Sequence, residues 1–119
     1  MIELSSIAAD AMLDQLSRLM DGGSIELLTG DGRLIVVMNL STPATMPAVD
    51  GKLDFNEIAG AFASAQGTIL QARVVGADGN EVFSCDVGDE SSEAVMKLDT
   101  IKLYRGDPIR LASFQLTIP

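Results

Sequence analysis

Between Ser5 and Gly23 the apolar residues Ile7, Ala8, Ala11, Met12, Leu16, Leu19 and Met20 recur at steps of mainly three and four, a spacing that gathers them on one face of a helix. Asp10, Asp14, Gln15 and Arg18 then fall on the outward face. Ser5 or Ser6 is placed to cap this helix, because a serine hydroxyl accepts a free main-chain N–H of the first turn. Gly22 and Gly23 end it, since glycine enters the left-handed conformation without a Cβ penalty. The pattern predicts a helix over 5–22, about four turns long.

Beyond Gly23 the helical period disappears. Ser24–Thr29 and Arg33–Leu40 flank Gly30, Asp31 and Gly32 and predict a hairpin. The unbroken apolar run Leu34–Met38 predicts a strand buried on both faces or covered by the helix. Ser41–Gly51 contains Pro43 and Pro47 and is read as an irregular loop. Lys52–Ile58 alternates through Leu53 and Phe55 as a strand would, while the weakly patterned Ala59–Gly67 is read as loop, with a short helix as the alternative. Thr68–Val75 and Glu81–Val87 are joined by an Asp78-Gly79 turn, the strongest hairpin signal in the chain. An acidic loop, Gly88–Glu93, precedes short strand candidates at Val95–Leu98 and Thr100–Tyr104. Ile109–Ile118 closes the chain in near-alternation. About seven or eight short strands with turn signals every 8–12 residues or so form the pattern of a β-sandwich. The expected fold is mainly β (α+β): an antiparallel β-sandwich over 24–119 with one N-terminal amphipathic helix.

The totals refine this. A chain of 119 residues suits one domain and one core. Aromatic residues make up 4% and Trp is absent, so the core must be aliphatic. The formal net charge is −9, from 17 acidic and 8 basic residues, which argues against nucleic acid and anionic membrane surfaces as partners. The apolar runs fall far short of the roughly 20 residues of a membrane-crossing helix. No basic segment followed by an apolar block opens the chain, so no signal peptide is expected. One cysteine forms no internal disulfide, which fits a reducing compartment of synthesis. Histidine is absent, removing the commonest general base and transition-metal ligand.

The remaining reactive groups have ordinary explanations. Cys85 lies in the alternation Phe83, Cys85, Val87 and is read as core filler, its thiol pKa raised beside Asp86. Asp86, Asp89, Glu90 and Glu93 offer oxygen ligands for a hard cation, but their spacing matches no calcium-loop pattern and an acidic loop is normally just solvated. Arg105-Gly106-Asp107 is a tripeptide that adhesion receptors recognise, and it serves equally as a turn before Pro108. No Gly-rich phosphate loop and no nucleophile elbow is present. The chain is therefore read as no enzyme, with no catalytic, cofactor-binding or metal-binding residue and no cofactor.

Four segments in order carry a likeness: the helix Ala8–Gly22, the strand and Thr-Gly turn Ile25–Gly30, the run Asp78–Gly88 ending in Asp86-Val87-Gly88, and the terminal Ser113–Pro119. Together they resemble a family of small virion-associated structural proteins encoded by tailed bacteriophages and prophages. The likeness spans both ends and is weak over 31–66. Where the family carries an aromatic pair this chain has Ile69 and Leu70, and Gly88–Glu93 replaces a Gly-Thr-Ser-Gly-like turn.

The resemblance implies a virion protein made in the bacterial host cytoplasm, whose partners are other virion proteins or further copies of itself. A tail-tip, baseplate or fibre-attachment subunit is the favoured role, with capsid decoration or host-surface binding as alternatives. Leu111, Phe114, Leu116 and Ile118 on the terminal strand, with Tyr104, are the candidate interface residues, because a terminal strand can extend a neighbour's sheet through main-chain hydrogen bonds. A mean hydropathy of +0.28 predicts that the purified chain self-associates or needs a partner. Light scattering that found a stable monomer at high concentration would count against this.

Overall fold

The computed structural model describes residues 5–56, 58, 61–94, 96–109 and 111–117, with Ser6 and 111–117 described by main chain alone. Among these, one helix, α1 (Ser6–Met20), precedes ten strands: β1 (Ser24–Thr29), β2 (Leu34–Asn39), β3 (Lys52–Asp54), β4 (Ala61–Phe62), β5 (Gly67–Val75), β6 (Glu81–Asp89), β7 (Met96–Leu98), β8 (Lys102–Leu103), β9 (Pro108–Ile109) and β10 (Leu111–Thr117). The chain is mainly β with one helix, an α+β architecture. Eight strands form a curled mixed sheet in the order β2-β1-β5-β6-β7-β10-β3, with β8 paired to the start of β5, while β4 and β9 make a separate ribbon.

The helix forms where the sequence places it, but it is rotated about its axis, so that Leu16 and Met20 stay on the core side while other apolar positions turn out. Ser5 caps it, accepting the Ala8 N–H at 3.2 Å. Gly22 takes φ +73° to end it, and Gly23 lies so close to β5 that a Cβ would meet the Val75 carbonyl oxygen at 2.0 Å. Ala9, Leu13 and Met20 are buried, whereas Ile7, Met12 and Leu19, expected inside, are 82%, 56% and 55% exposed. Asp10 and Asp14, expected outside, are half-buried.

The cause is the loop over 41–51. Its main-chain donors need partners once they are covered, and three helix carboxylates supply them. Asp21 accepts from Ala44 N–H, Asp14 from Ala48 N–H and Asp10 from Gly51 N–H, each at 2.8 Å. Ser17, on the same line, shares a buried 2.6 Å hydrogen bond with Thr45. A purely apolar seam would have left those amides orphaned.

β1 and β2 form the expected hairpin around Gly32, which has φ +88°. The register slips so that Leu27 faces Val36 and Leu28 faces Leu34, leaving Ile35 as a bulge residue. Two consecutive side chains, Ile35 and Val36, therefore point inward. Leu34 and Val37 are exposed, so the run is not buried on both faces as its composition suggested. β5 and β6 pair around Gly79, at φ +84°, with Asp78 accepting from Asn80.

The pairing departs from all-antiparallel at one ladder. β6 and β7 run parallel, with Val87 opposite Met96 and Asp89 opposite Leu98. The acidic loop makes this short return possible: Asp89 accepts the Ser91 N–H, and the Ser92 N–H and hydroxyl both donate to the Asp89 carbonyl. Gly88 is required there, because a Cβ would sit 2.1 Å from the Ser92 hydroxyl. The segment 59–67 holds β4 rather than a helix, with residues 59 and 60 outside the described set, as is Val95 at the start of its predicted strand.

The core is aliphatic, as composition required. Ile25, Leu27, Ile35, Met38, Leu53, Ile69, Met96, Leu98, Leu103 and Ile109 are its large, fully buried members. Each contributes about 1.5–3 kcal/mol by leaving water. Asp14→Ala should lower unfolding stability by about 1–3 kcal/mol, the cost of leaving a covered amide unsatisfied, with Asp14→Asn recovering part of it. Urea unfolding midpoints of the two variants check this.

Candidate functional site

The helix is organised as three parallel lines of side chains, each stepping by four, three and four residues. Leu13, Leu16 and Met20 pack on the core with Ala9 buried in line; Asp10, Asp14, Ser17 and Asp21 hold the loop; Met12, Gln15 and Leu19 look outward, with Ala8 half-buried in line. Leu19, at the C-terminal end of this line, borders a groove of about 540 Å³ between the C-terminal half of α1 and the β5–β6 turn. Leu16, Leu19 and Val82 give it an apolar floor, with Arg18 on the helix side and Asp78 and Glu81 across from it. Hydrogen bonds from the Asn80 main-chain N–H and side-chain amide hold the Asp78 carboxyl below the usual carboxylate range. That side of the groove is therefore negative at neutral pH.

A second surface gathers around the turn after β8. Tyr104 is 57% exposed and Phe62, on β4, is 72% exposed. The two lie at the same corner, since Phe62 pairs with Pro108, while Ala63 bonds Gly106 N–H and the Asp107 carbonyl through its own main chain. Within the Arg105-Gly106-Asp107 turn, the Asp107 carboxylate accepts the Tyr104 N–H at 2.8 Å. One oxygen of that carboxylate thus serves the turn.

The terminal strand is engaged inside its own chain. β10 pairs with β7 over Leu111–Phe114 and with β3 over Gln115–Thr117, so that Phe114 faces Met96 and Leu116 faces Leu53 in register. The side chains of Leu111, Phe114 and Leu116, and Ile118 as a whole, lie outside the described residues. Tyr104 sits well apart in the topology, on the loop after β8, which pairs with β5.

Other candidate chemistry is absorbed by structure. The Asp89 carboxyl is held below the usual range by the Ser91 hydroxyl and N–H, and Asp31 likewise by the Thr29 hydroxyl, both in turns. Among the described residues no group of three or more Cys, Asp or Glu gathers in a metal-holding arrangement. No described helix is long and apolar enough to cross a membrane. Cys85 lies opposite the buried Ala72 on the inward face of β6.

No protein-family model, no curated protein and no solved structure matches the chain. The outward line of α1 escaped sequence reasoning, because three overlapping stripes of one period look like a single broad apolar face. The signal that could have found it was the recurrence of aspartate at 10, 14 and 21, in step with the apolar residues beside it.

Burial, followed by the Asp86 charge, pushes the Cys85 thiol up to about 11 from an ordinary 9.0. The folded state thus favours the neutral thiol, and this contribution to stability is lost as pH rises from 9 through 11. Labelling by a thiol reagent at pH 8 should be slow for the folded chain and fast once urea unfolds it. Equal rates would contradict the burial.

Proposed function

We propose that this chain is a structural subunit of a tailed-phage virion, mounted at the tail tip, baseplate or fibre attachment, and acting through its surfaces. The observation that carries the reading is the amount of apolar side chain left in solvent on separate faces. Met12 and Leu19 lie on the helix, Leu34 and Val37 on β2, and Phe62 on the β4–β9 ribbon. Large apolar side chains left in solvent on several separate elements suit a subunit held between neighbours. The likeness of both chain ends to virion-associated proteins points the same way. In this reading the curled sheet works as a β-sandwich, β2-β1-β5-β6 folding over β7-β10-β3 around the aliphatic core. The strand β10 contributes through whatever edge β7 and β3 leave unpaired.

Capsid decoration is the alternative placement, since an acidic skin suits an outer surface away from packaged DNA. A host-surface binding module is favoured by one observation, the exposed Phe62 and Tyr104 at one corner, because exposed aromatic rings are what sugar and protein recognition uses. Mass spectrometry of density-purified particles from the phage or induced prophage encoding this chain should find it in the particle fraction. Recovery solely in the soluble lysate would refute the structural reading. Phe62→Ala with Tyr104→Ala should lower the amount of this chain recovered in particles, whereas normal recovery with loss of cell attachment would move the assignment to host binding.

A further inference from the structure

We propose that the outward line of α1, with the groove beside the β5–β6 turn, is the docking site for a basic amphipathic helix of a partner protein. The inference rests on the structural role proposed above and specifies the chemistry of one neighbour.

Spacing is the first ground. Ala8, Met12, Gln15 and Leu19 step by four, three and four, the repeat at which one helix presents a seam to another. Met12 and Leu19 are more than half exposed on this line. They cannot turn inward, because Leu13 and Met20 already fill the core side and Asp10, Asp14 and Asp21 are bonded to the loop.

Charge selects the occupant. Asp78 and Glu81 stand across the groove, against the single cation Arg18. An incoming helix with an apolar stripe gains if Lys or Arg lies on the flank that meets the β5–β6 turn. A second copy of this chain fits poorly, because each carries a net −9.

The test uses the full purified chain and fluorescent synthetic helices of about 18 residues, long enough to lie along α1. One carries a leucine stripe at the same four-three-four spacing flanked by lysines, a second replaces the lysines by glutamates, and a third scrambles the first. Anisotropy at physiological salt should show the striped basic helix binding at least about tenfold more tightly than either control. Leu19→Glu and Met12→Glu, at exposed positions that leave the fold intact, should each weaken it by about tenfold. Asp78→Lys with Glu81→Lys should shift preference to the acidic helix, whereas Glu90→Lys with Asp99→Lys, the same charge change elsewhere, should not.

Binding that ignores the stripe, or falls equally with the control pair, would reduce the effect to general attraction for an acidic protein and overturn the proposal. So would a dimer, seen by light scattering, that Met12→Glu dissolves, since the occupant would then be a second copy. Because these measurements use the isolated chain, their failure leaves its place in the particle standing, and absence from particles would leave a positive docking result standing.

Discussion

The fold hangs on main-chain amides that need acceptors. The segment 41–51 contains Pro43 and Pro47 and cannot run as an ordinary sheet strand. From Asp10 to Asp21 the helix rises about 16 Å, while seven residues of loop run the other way from Ala44 to Gly51. That is about 2.4 Å per residue, shorter than the roughly 3.3 Å of a strand. The loop is slack and irregular: side-chain carboxylates take the Ala44, Ala48 and Gly51 donors, while Met46 and Val49 donate to the Asp54 and Lys52 carbonyls of β3. The loop delivers β3, which pairs with β10, which pairs with β7. One polar line on a helix thereby fixes where the far end of the sheet begins.

The other unusual constraint is the parallel return from β6 to β7. Parallel neighbours ordinarily need a crossover of about a dozen residues, and here residues 90–95 suffice. The turn achieves it by hydrogen bonding Ser91 and Ser92 back onto Asp89 and by stacking Ser92 over Gly88, where any side chain would collide. The acidic character of this stretch has a structural use. Asp89 acts there as a turn acceptor.

Much of the local structure was legible. The cap at Ser5, the glycine stop, both hairpins and the aliphatic core follow from residue types with short-range causes. What was not legible depends on contacts remote in sequence. The rotation of α1 was hidden because Asp10 and Asp14 look like solvated charges until a loop more than thirty residues on supplies their donors. The exposure of Leu34 and Val37 was hidden because a bulge is decided by register, not by composition. The parallel ladder was hidden because Asp and Ser in a row suggest loop without saying which way the chain leaves it. The candidate site shared this fate, since Leu16 and Leu19, which line it, were assigned to the buried face of the helix.

A helix gripped by carboxylates along one side and by the core along another is held against rolling about its axis. Its azimuth is set to within the play of three hydrogen bonds, and whatever lies against its free side inherits that angle. In a ring or tube, where a few degrees per joint decide whether the circle closes, such stiffness is worth more than the strength of any single contact.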